Sequence, residues 1–243
     1  MDPIRDGNFT SSESFHLMAE GRSPGSFGKP FYTYIQQTNY ERRLGRSLDR
    51  EVSAHPTDWG TLVERRVHDL LGLDYKLCSQ ETLNHPRIPY WKGSPDFQKF
   101  DAGGTIIDAK CPLTLSSFCQ LVSGLYEDVD PVAYFRENHK DGDKFYWQVT
   151  SNAEITKSKF GELVVYVPYR SELEAIRELA SELDNPGDSR YHWIYSARDE
   201  ELPWLPDNSK YKNLNIIRWE IPDVDKWALI ERVKKAGEKL IAV

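Results

Sequence analysis

The sequence predicts an α/β or α+β fold in which helices flank a short mixed sheet. Three observations carry this reading. Residues 57–72, TDWGTLVERRVHDLLG, place Trp59, Val63, Val67 and Leu70 on one helical stripe. Residues 161–168, GELVVYVP, and 214–221, LNIIRWEI, are short apolar runs rich in β-branched residues and read as strands. Further helical patterns stand before, between and after these strands, so sheet and helices must pack as layers.

In chain order, residues 20–30, EGRSPGSFGKP, carry Gly and Pro at turn spacing and read as an irregular, mobile stretch. A helix follows over 31–45, with Tyr34, Ile35, Thr38 and Leu44 at helical spacing and Gly45 as its stop. In the 57–72 helix, Thr57 or Asp58 serves as cap and Gly72 as terminator. From Cys78 to Pro112 the pattern changes to short extended segments broken by turns. Residues 113–127 read as a helix burying Leu115, Phe118, Val122 and Leu125, and 143–156 as a second helix. A capping box from Ser171 to Glu174 opens a helix that ends at Pro186-Gly187, and its acidic outer face reads as solvated surface. Residues 191–197, YHWIYSA, read as a strand, 198–213 as a loop, and a terminal helix starts near Asp223. Trp193, Trp204, Trp219 and Trp227 are expected to pack the C-terminal half.

A chain of 243 residues buries a sizeable core as one domain with appendages. No run approaches a membrane span, and the start lacks the basic-then-apolar pattern of a signal peptide. Cys78, Cys111 and Cys119 are odd in number and lack C-x-x-C spacing, which points to a reducing cytoplasm and away from a disulfide framework or a four-cysteine metal site. The net charge of −7 argues against a non-specific nucleic-acid coat and leaves room for a local basic channel.

The chemistry concentrates in GSPDFQKFDAGGTIIDAKCP, residues 93–112. Along a strand, Asp108 and Lys110 share a face. Pro95 fixes the approach to Asp96, and a turn on Asp101-Ala102-Gly103-Gly104 folds that segment back beside Asp108. Two close carboxylates repel unless a cation stands between them. Mg²⁺, with Mn²⁺ as a substitute, suits such a pair, and the Ala109 carbonyl offers a third oxygen. Lys110 then sits where a water loses its proton or where charge develops on a phosphorane, which is equipment for phosphodiester hydrolysis. A surface hairpin whose Asp and Lys pair in solvent is the plainer alternative, and the D-x-K of Asp74-Tyr75-Lys76 reads as incidental.

This arrangement has the P-D-x(n)-(D/E)-x-K pattern of a nuclease superfamily, here Pro95-Asp96 and Asp108-Ala109-Lys110. Its surroundings resemble the phage-lambda-type (YqaJ-like) alkaline exonuclease family. SPDF…IIDAKCP resembles that family's S-P-D-G and acidic-x-K-C-P, WGTLVE its W-G-x-x-x-E, RDGNFTSS its R-x-G-x-(apolar)-T-x-S, and FYWQVTSNAEIT its Q-V helix. The resemblance spans residues 5–168, thins after Tyr169, and marks 170–213 as an inserted helix-loop segment in a single nuclease domain over 1–243. It departs at Asp108, where Glu is commoner, at Phe97 in place of Gly, and at Thr150 in place of a second glutamine.

The resemblance implies a restriction-endonuclease-like core and a Mg²⁺-dependent exonuclease acting on linear duplex DNA from 5′-phosphorylated ends. By that resemblance Asp96, Asp108, the Ala109 carbonyl and Glu64 hold metal, and Lys110 is catalytic. Arg5, Ser12, Ser94 and Gln148 bind DNA or its 5′ phosphate. It also implies a trimeric ring threaded by DNA, a single-strand annealing partner, and phage-type recombination in a bacterial cytoplasm. An endonuclease on the same core, or a non-catalytic DNA-end-binding protein, are the rival readings. Residue by residue, plainer alternatives stand beside these roles: Glu64 paired with His68 one turn on, Arg5 and Ser12 in a frayed terminus, and Ser94 capping its turn. The cluster of Arg42, Arg43, Arg46 and Arg50 is either a solvated helix face or a lining for the DNA path.

Overall fold

The computed structural model describes residues 5–23, 25–48, 55–78, 81–184 and 189–242. In order, these form β1 (Phe9–Thr10), α1 (Phe15–Met18), α2 (Lys29–Leu44), α3 (His55–Leu71), β2 (Tyr75–Leu77), β3 (Leu83–Asn84), β4 (Trp91–Gly93), β5 (Phe97–Lys99) and β6 (Thr105–Lys110). There follow α4 (Leu115–Val122), α5 (Pro131–Asn138), α6 (Gly142–Thr156), β7 (Phe160–Tyr166), α7 (Leu173–Leu183), α8 (His192–Tyr195), β8 (Leu214–Glu220) and α9 (Asp223–Gly237). Arg50, Pro186 and Gly187 lie outside the described residues. No described helix is long and apolar enough to cross a membrane.

A five-stranded mixed sheet, ordered β2-β5-β6-β7-β8, forms the centre. Only β6 and β7 run parallel, because α4, α5 and α6 intervene as the crossover that parallel strands require. The side-chain alternation of β6 and β7 divides the molecule. Ile107, Ala109, Val164 and Tyr166 meet α3, α7 and α8, where Trp59, Leu62, Val63, Ile176 and Ile194 are buried. Leu163 and Val165 meet the opposite layer around Phe118, Leu121, Phe135 and Tyr146. Ile106 packs on Val149 and Ala153 of α6. A three-stranded sheet, β1-β4-β3, packs Phe9 and Trp91 against α2 and α9.

The β5–β6 hairpin matches the sequence expectation. Gly103 and Gly104 take φ of +96° and +70°, a region open to glycine and strained for other residues. Phe97 pairs with Ile107, so one residue further along the register sets Asp96 opposite Asp108. Phe97 itself is fully buried in the α3 layer, so it faces away from Asp108 and does not crowd it.

Several expectations need correction. Residues 192–195 form one helical turn, not a strand: Ile194 inserts beneath α7, and the aromatic-rich run was a signal for a packed apolar surface rather than for extended backbone. In the helix after Pro112, Leu115 and Leu125 are exposed and Leu121 is buried instead. The backbone tightens to a 3₁₀ turn at Ser123–Leu125, which rotates Leu125 off the α-helical stripe. At the end of α3, Leu71 rather than Leu70 packs on the core. Leu44 is exposed, and α3 begins at His55, ahead of the expected caps. Ser171 caps nothing at Glu174. Its hydroxyl meets Asp207, while Glu172 accepts the Tyr169 N–H at 2.7 Å. Trp193, Trp204 and Trp219 pack as expected, whereas Trp227 is exposed. Glu20 and Phe27 form a β-bridge, and the Gly28 N–H donates to Ala19 O at 2.9 Å. The 170–213 segment supplies Leu173, Ile176, Ala180, Tyr191, Ile194 and Leu202 to the α3 layer.

Candidate active site

The central strand β6 carries the chemistry-bearing residues out of the core at its C-terminal end. Asp108 is 1% exposed. Its Oδ1 accepts from the Gln148 amide at 2.7 Å, and its Oδ2 lies 2.5 Å from the Lys110 ammonium. Gln148 comes from α6, the helix that packs beside Ile106 on the same face of the strand. Asp96 extends the hairpin ladder in two ways: its N–H donates to Ile107 O at 3.2 Å, and its Oδ2 accepts the Ala109 N–H at 2.7 Å. The Ala109 amide thus points toward the Asp96 side of β6. Its carbonyl shares that side, beyond the end of β5, since both polar groups of a strand residue face the same neighbour.

Electrostatics bind these groups into one cluster. Burial pushes the Asp96 carboxyl well above the usual carboxylate range, and the charges of Asp108 and Glu64 push it further. Burial likewise raises Glu64, on α3, and Asp108 adds to the effect. Burial acts to lower Lys110, but the charges of Asp108, Asp96 and Glu64 outweigh it and hold the ammonium above its ordinary value. Three acids therefore face one ammonium at the end of one strand, an excess of acids over cations in the cluster among the described residues.

That excess fits a divalent cation. The donor set is two carboxylates and a backbone carbonyl, all hard oxygen ligands. Among the described residues no three Asp, Glu, His or Cys side chains converge closely enough to enclose an ion unaided. Glu64 stands in electrostatic range of the pair rather than in a closed ring with it.

Ser11 and Ser14 pack on α6, Ser11 Oγ lying 2.8 Å from Ser151 Oγ and Ser14 Oγ donating to Trp147 O at 3.1 Å. Arg5 Nη2 donates to Ser12 Oγ at 3.4 Å, and both line a cavity of about 300 Å³ with Thr10 and Tyr34. Ser94 shares a 3.2 Å contact with Thr82 and makes no bond that caps its own turn among the described residues. Glu64 is not paired with His68, whose ring stacks on Phe97 at 5.9 Å. Thr150 bonds back to Tyr146 O within α6 at 2.8 Å and stays out of the cluster. The Arg42 guanidinium donates to Gly7 O and Ile241 O, each at 2.8 Å, while Arg43 and Arg46 are exposed. Of the Asp74-Tyr75-Lys76 triplet, Tyr75 and Lys76 lie on the edge strand β2, opposite Lys99 and Gln98. A larger groove of about 640 Å³ between α5, α6 and β8 contains no residue of the cluster.

Sequence reasoning missed Phe145. Its ring lies 4.9 Å from the Lys110 ammonium, one turn before Gln148 on α6, and it holds the charged end over the site through its π face. The helical spacing from Gln148 was the only available sign.

Solved structures share this architecture. LHK-Exo, an alkaline exonuclease from Laribacter hongkongensis solved in complex with dAMP, superposes with a TM-score of 0.59 at 15% identity, over 98% of this chain and 89% of that one. A phage-related exonuclease from Haemophilus somnus 129PT gives 0.62 at 13% identity, over 96% and 92%. The chain has the alkaline-exonuclease fold. At these identities the likeness rests on architecture, and no protein-family model and no curated protein matches the chain. Within the exonuclease fold, the end of β6 and the adjoining hairpin carry Asp96, Asp108 and Lys110.

Proposed function

We propose that the protein is a divalent-metal-dependent DNA exonuclease that hydrolyses phosphodiester bonds of linear duplex DNA from 5′-phosphorylated ends, in the 5′ to 3′ direction. The observation that carries the proposal is the setting of Asp108, buried between the Gln148 amide and the Lys110 ammonium and facing the hairpin-tethered Asp96. The exonuclease architecture supports it.

Asp96, Asp108 and the Ala109 carbonyl would hold Mg²⁺ or Mn²⁺, with Glu64 completing the negative site from α3. The bound ion supplies Lewis-acid charge against the phosphate. The chain's own groups do the rest. Gln148 holds the Asp108 carboxylate in one rotamer. Lys110, kept as an ammonium by its three acids, donates to the phosphate oxygens as negative charge builds on them. Arg5 and Ser12 bind the terminal 5′ phosphate in their cavity, where an arginine fork suits phosphate oxygens, and Ser94 lies between that cavity and Asp96. The same reading carries a homotrimeric ring around DNA, with an annealing protein as partner in phage-type recombination in a bacterial cytoplasm. A ring needs positive charge only on its inner wall, which accommodates a chain of net charge −7.

Incubation with linear and covalently closed circular duplexes tests the reading. Linear, 5′-phosphorylated DNA should be lost in Mg²⁺ and survive in chelator, closed circles should stay intact, and folded Asp108→Ala should be inert. Cutting of closed circles would establish an endonuclease instead. Binding of ends without any loss of DNA would leave an end-binding protein.

A further inference from the structure

From β4 to β5 the chain passes from the small sheet, which carries Thr10 of the Arg5–Ser12 cavity, to the hairpin that carries Asp96, and it alternates in burial on the way. Trp91, Gly93, Pro95 and Phe97 are buried, while Lys92, Ser94 and Asp96 are half-buried on the opposite side. The half-buried row presents an ammonium, a hydroxyl and a carboxylate in order along the chain. Lys92 begins it. In the small sheet it lies directly opposite Thr10, which lines the cavity with Arg5 and Ser12. On its other side it lies opposite Asn84, whose side-chain oxygen accepts from its ammonium. No ion pair among the described residues joins Lys92 to a carboxylate, and the contact of its ammonium is the neutral Asn84 side chain.

We infer that Lys92, with Ser94 beside it, grips the phosphodiester backbone between the terminal-phosphate cavity and Asp96. This rests on the exonuclease reading and adds to it a positioning residue that acts on the strand being fed to the site. Phosphate contacts of this kind set register without reading sequence. The ammonium exchanges its neutral Asn84 partner for a phosphate oxygen, a stronger, charge-assisted bond.

The test uses the full-length protein with Lys92→Met, Lys92→Arg and Asn84→Leu, on a 5′-phosphorylated linear duplex. Digestion is followed in Mg²⁺ over a range of NaCl, and binding of a fluorescent duplex by anisotropy in Ca²⁺. Lys92→Met should raise KM about tenfold with kcat nearly kept, as for loss of one charge-assisted hydrogen bond. It should also flatten the slope of log affinity against log salt by about 0.9, the value for one phosphate contact. Lys92→Arg should restore both. Asn84→Leu, which removes the protein-side partner and keeps the ammonium, should leave the slope unchanged. A Lys92→Met protein that melts like wild type yet keeps the wild-type KM and salt slope overturns the inference, as does an Asn84→Leu variant that reproduces the loss. If wild type neither binds nor digests linear duplex, the exonuclease reading falls first. If wild type does both and Lys92→Met is silent, only this inference falls.

Discussion

The side-chain amide of Gln148 donates to Asp108 Oδ1 at 2.7 Å, tying α6 to the central strand across the buried end of the sheet. The bond is made to a carboxylate with almost no solvent, so it is a strong one. Gln148→Met keeps the length and loses the donor, and leaves Asp108 free to rotate. It should lower kcat/KM about 10- to 100-fold, the range expected for a hydrogen bond to a charged group. Gln148→Glu should be worse, because a fourth carboxylate would then join the cluster, directly against Asp108. Single-turnover digestion of a 5′-labelled duplex measures both, and a Gln148→Met enzyme at wild-type rate would refute the positioning role.

The raised carboxyls of Asp96 and Glu64 make a stability prediction with a definite sign. Both bind protons more tightly folded than unfolded, through burial first and neighbouring acids second. Their contribution is full below the ordinary carboxylate range and fades as pH rises through the raised folded values. Asp101, held low by its Arg218 hydrogen bond, contributes with the opposite sign, so the wild-type profile alone mixes the two. Asp96→Asn isolates the site. In chelator, its melting temperature should increasingly exceed that of wild type as pH climbs from the carboxylate range through neutrality. Mg²⁺ should narrow the gap by raising the wild type. A gap that is flat with pH would contradict this account.

The hairpin at the heart of the site was legible in the sequence because each piece is local: Pro95 before the acid, two glycines in the turn, and a two-residue period that puts Asp108 and Lys110 on one face. The β7 and β8 strands and the α3 and α6 helices were legible for the same reason, having apolar periodicity over many residues. What escaped is set by long-range packing. The run at 191–197 has strand-like composition, but the described edges of the central sheet are β2 and β8, so it packs beneath α7 as a helical turn instead. Arg42 belonged by sequence to a basic cluster, and only the fold brings Gly7 and Ile241 to its guanidinium. Phe145 over Lys110 joins residues far apart in the chain, which no local pattern encodes.

Gly93 is required by space rather than by backbone angle. A Cβ there would collide with Asn152 Oδ1 and would come within 2.7 Å of Ser11 Oγ and 2.8 Å of Ile155 Cδ1. Ser11 precedes Ser12 of the Arg5 cavity and Asn152 lies one turn beyond Gln148, so the N-terminal turn and α6 both close on this glycine. Gly93→Ala should cost about 1–3 kcal/mol through overpacking and show as a lowered melting temperature. It should also weaken discrimination between 5′-phosphorylated and 5′-hydroxyl ends by displacing the Ser11–Glu13 turn. A variant equally stable and equally selective would show that the gap relaxes freely.

Arg218 pins the turn end of the β5–β6 hairpin. Its guanidinium donates to Asp101 Oδ2 at 2.7 Å in the turn and to Glu162 Oε1 at 2.8 Å on β7, so three segments meet on one side chain. Glu162 is 2% exposed, and stripping the cation from a buried acid is far costlier than losing a surface pair. Arg218 is itself about a third exposed, so the cost of Arg218→Ala should fall at the low end of that range, about 3 kcal/mol. Arg218→Ala with Glu162→Gln should recover part of it, because the remaining amide carries no charge. Chemical denaturation of the single and double variants decides the point. Full additivity of the two substitutions would mean that Arg218 and Glu162 are not coupled and that the hairpin turn is held by its glycines and by the Thr105 hydroxyl, which donates to Asp101 at 2.9 Å.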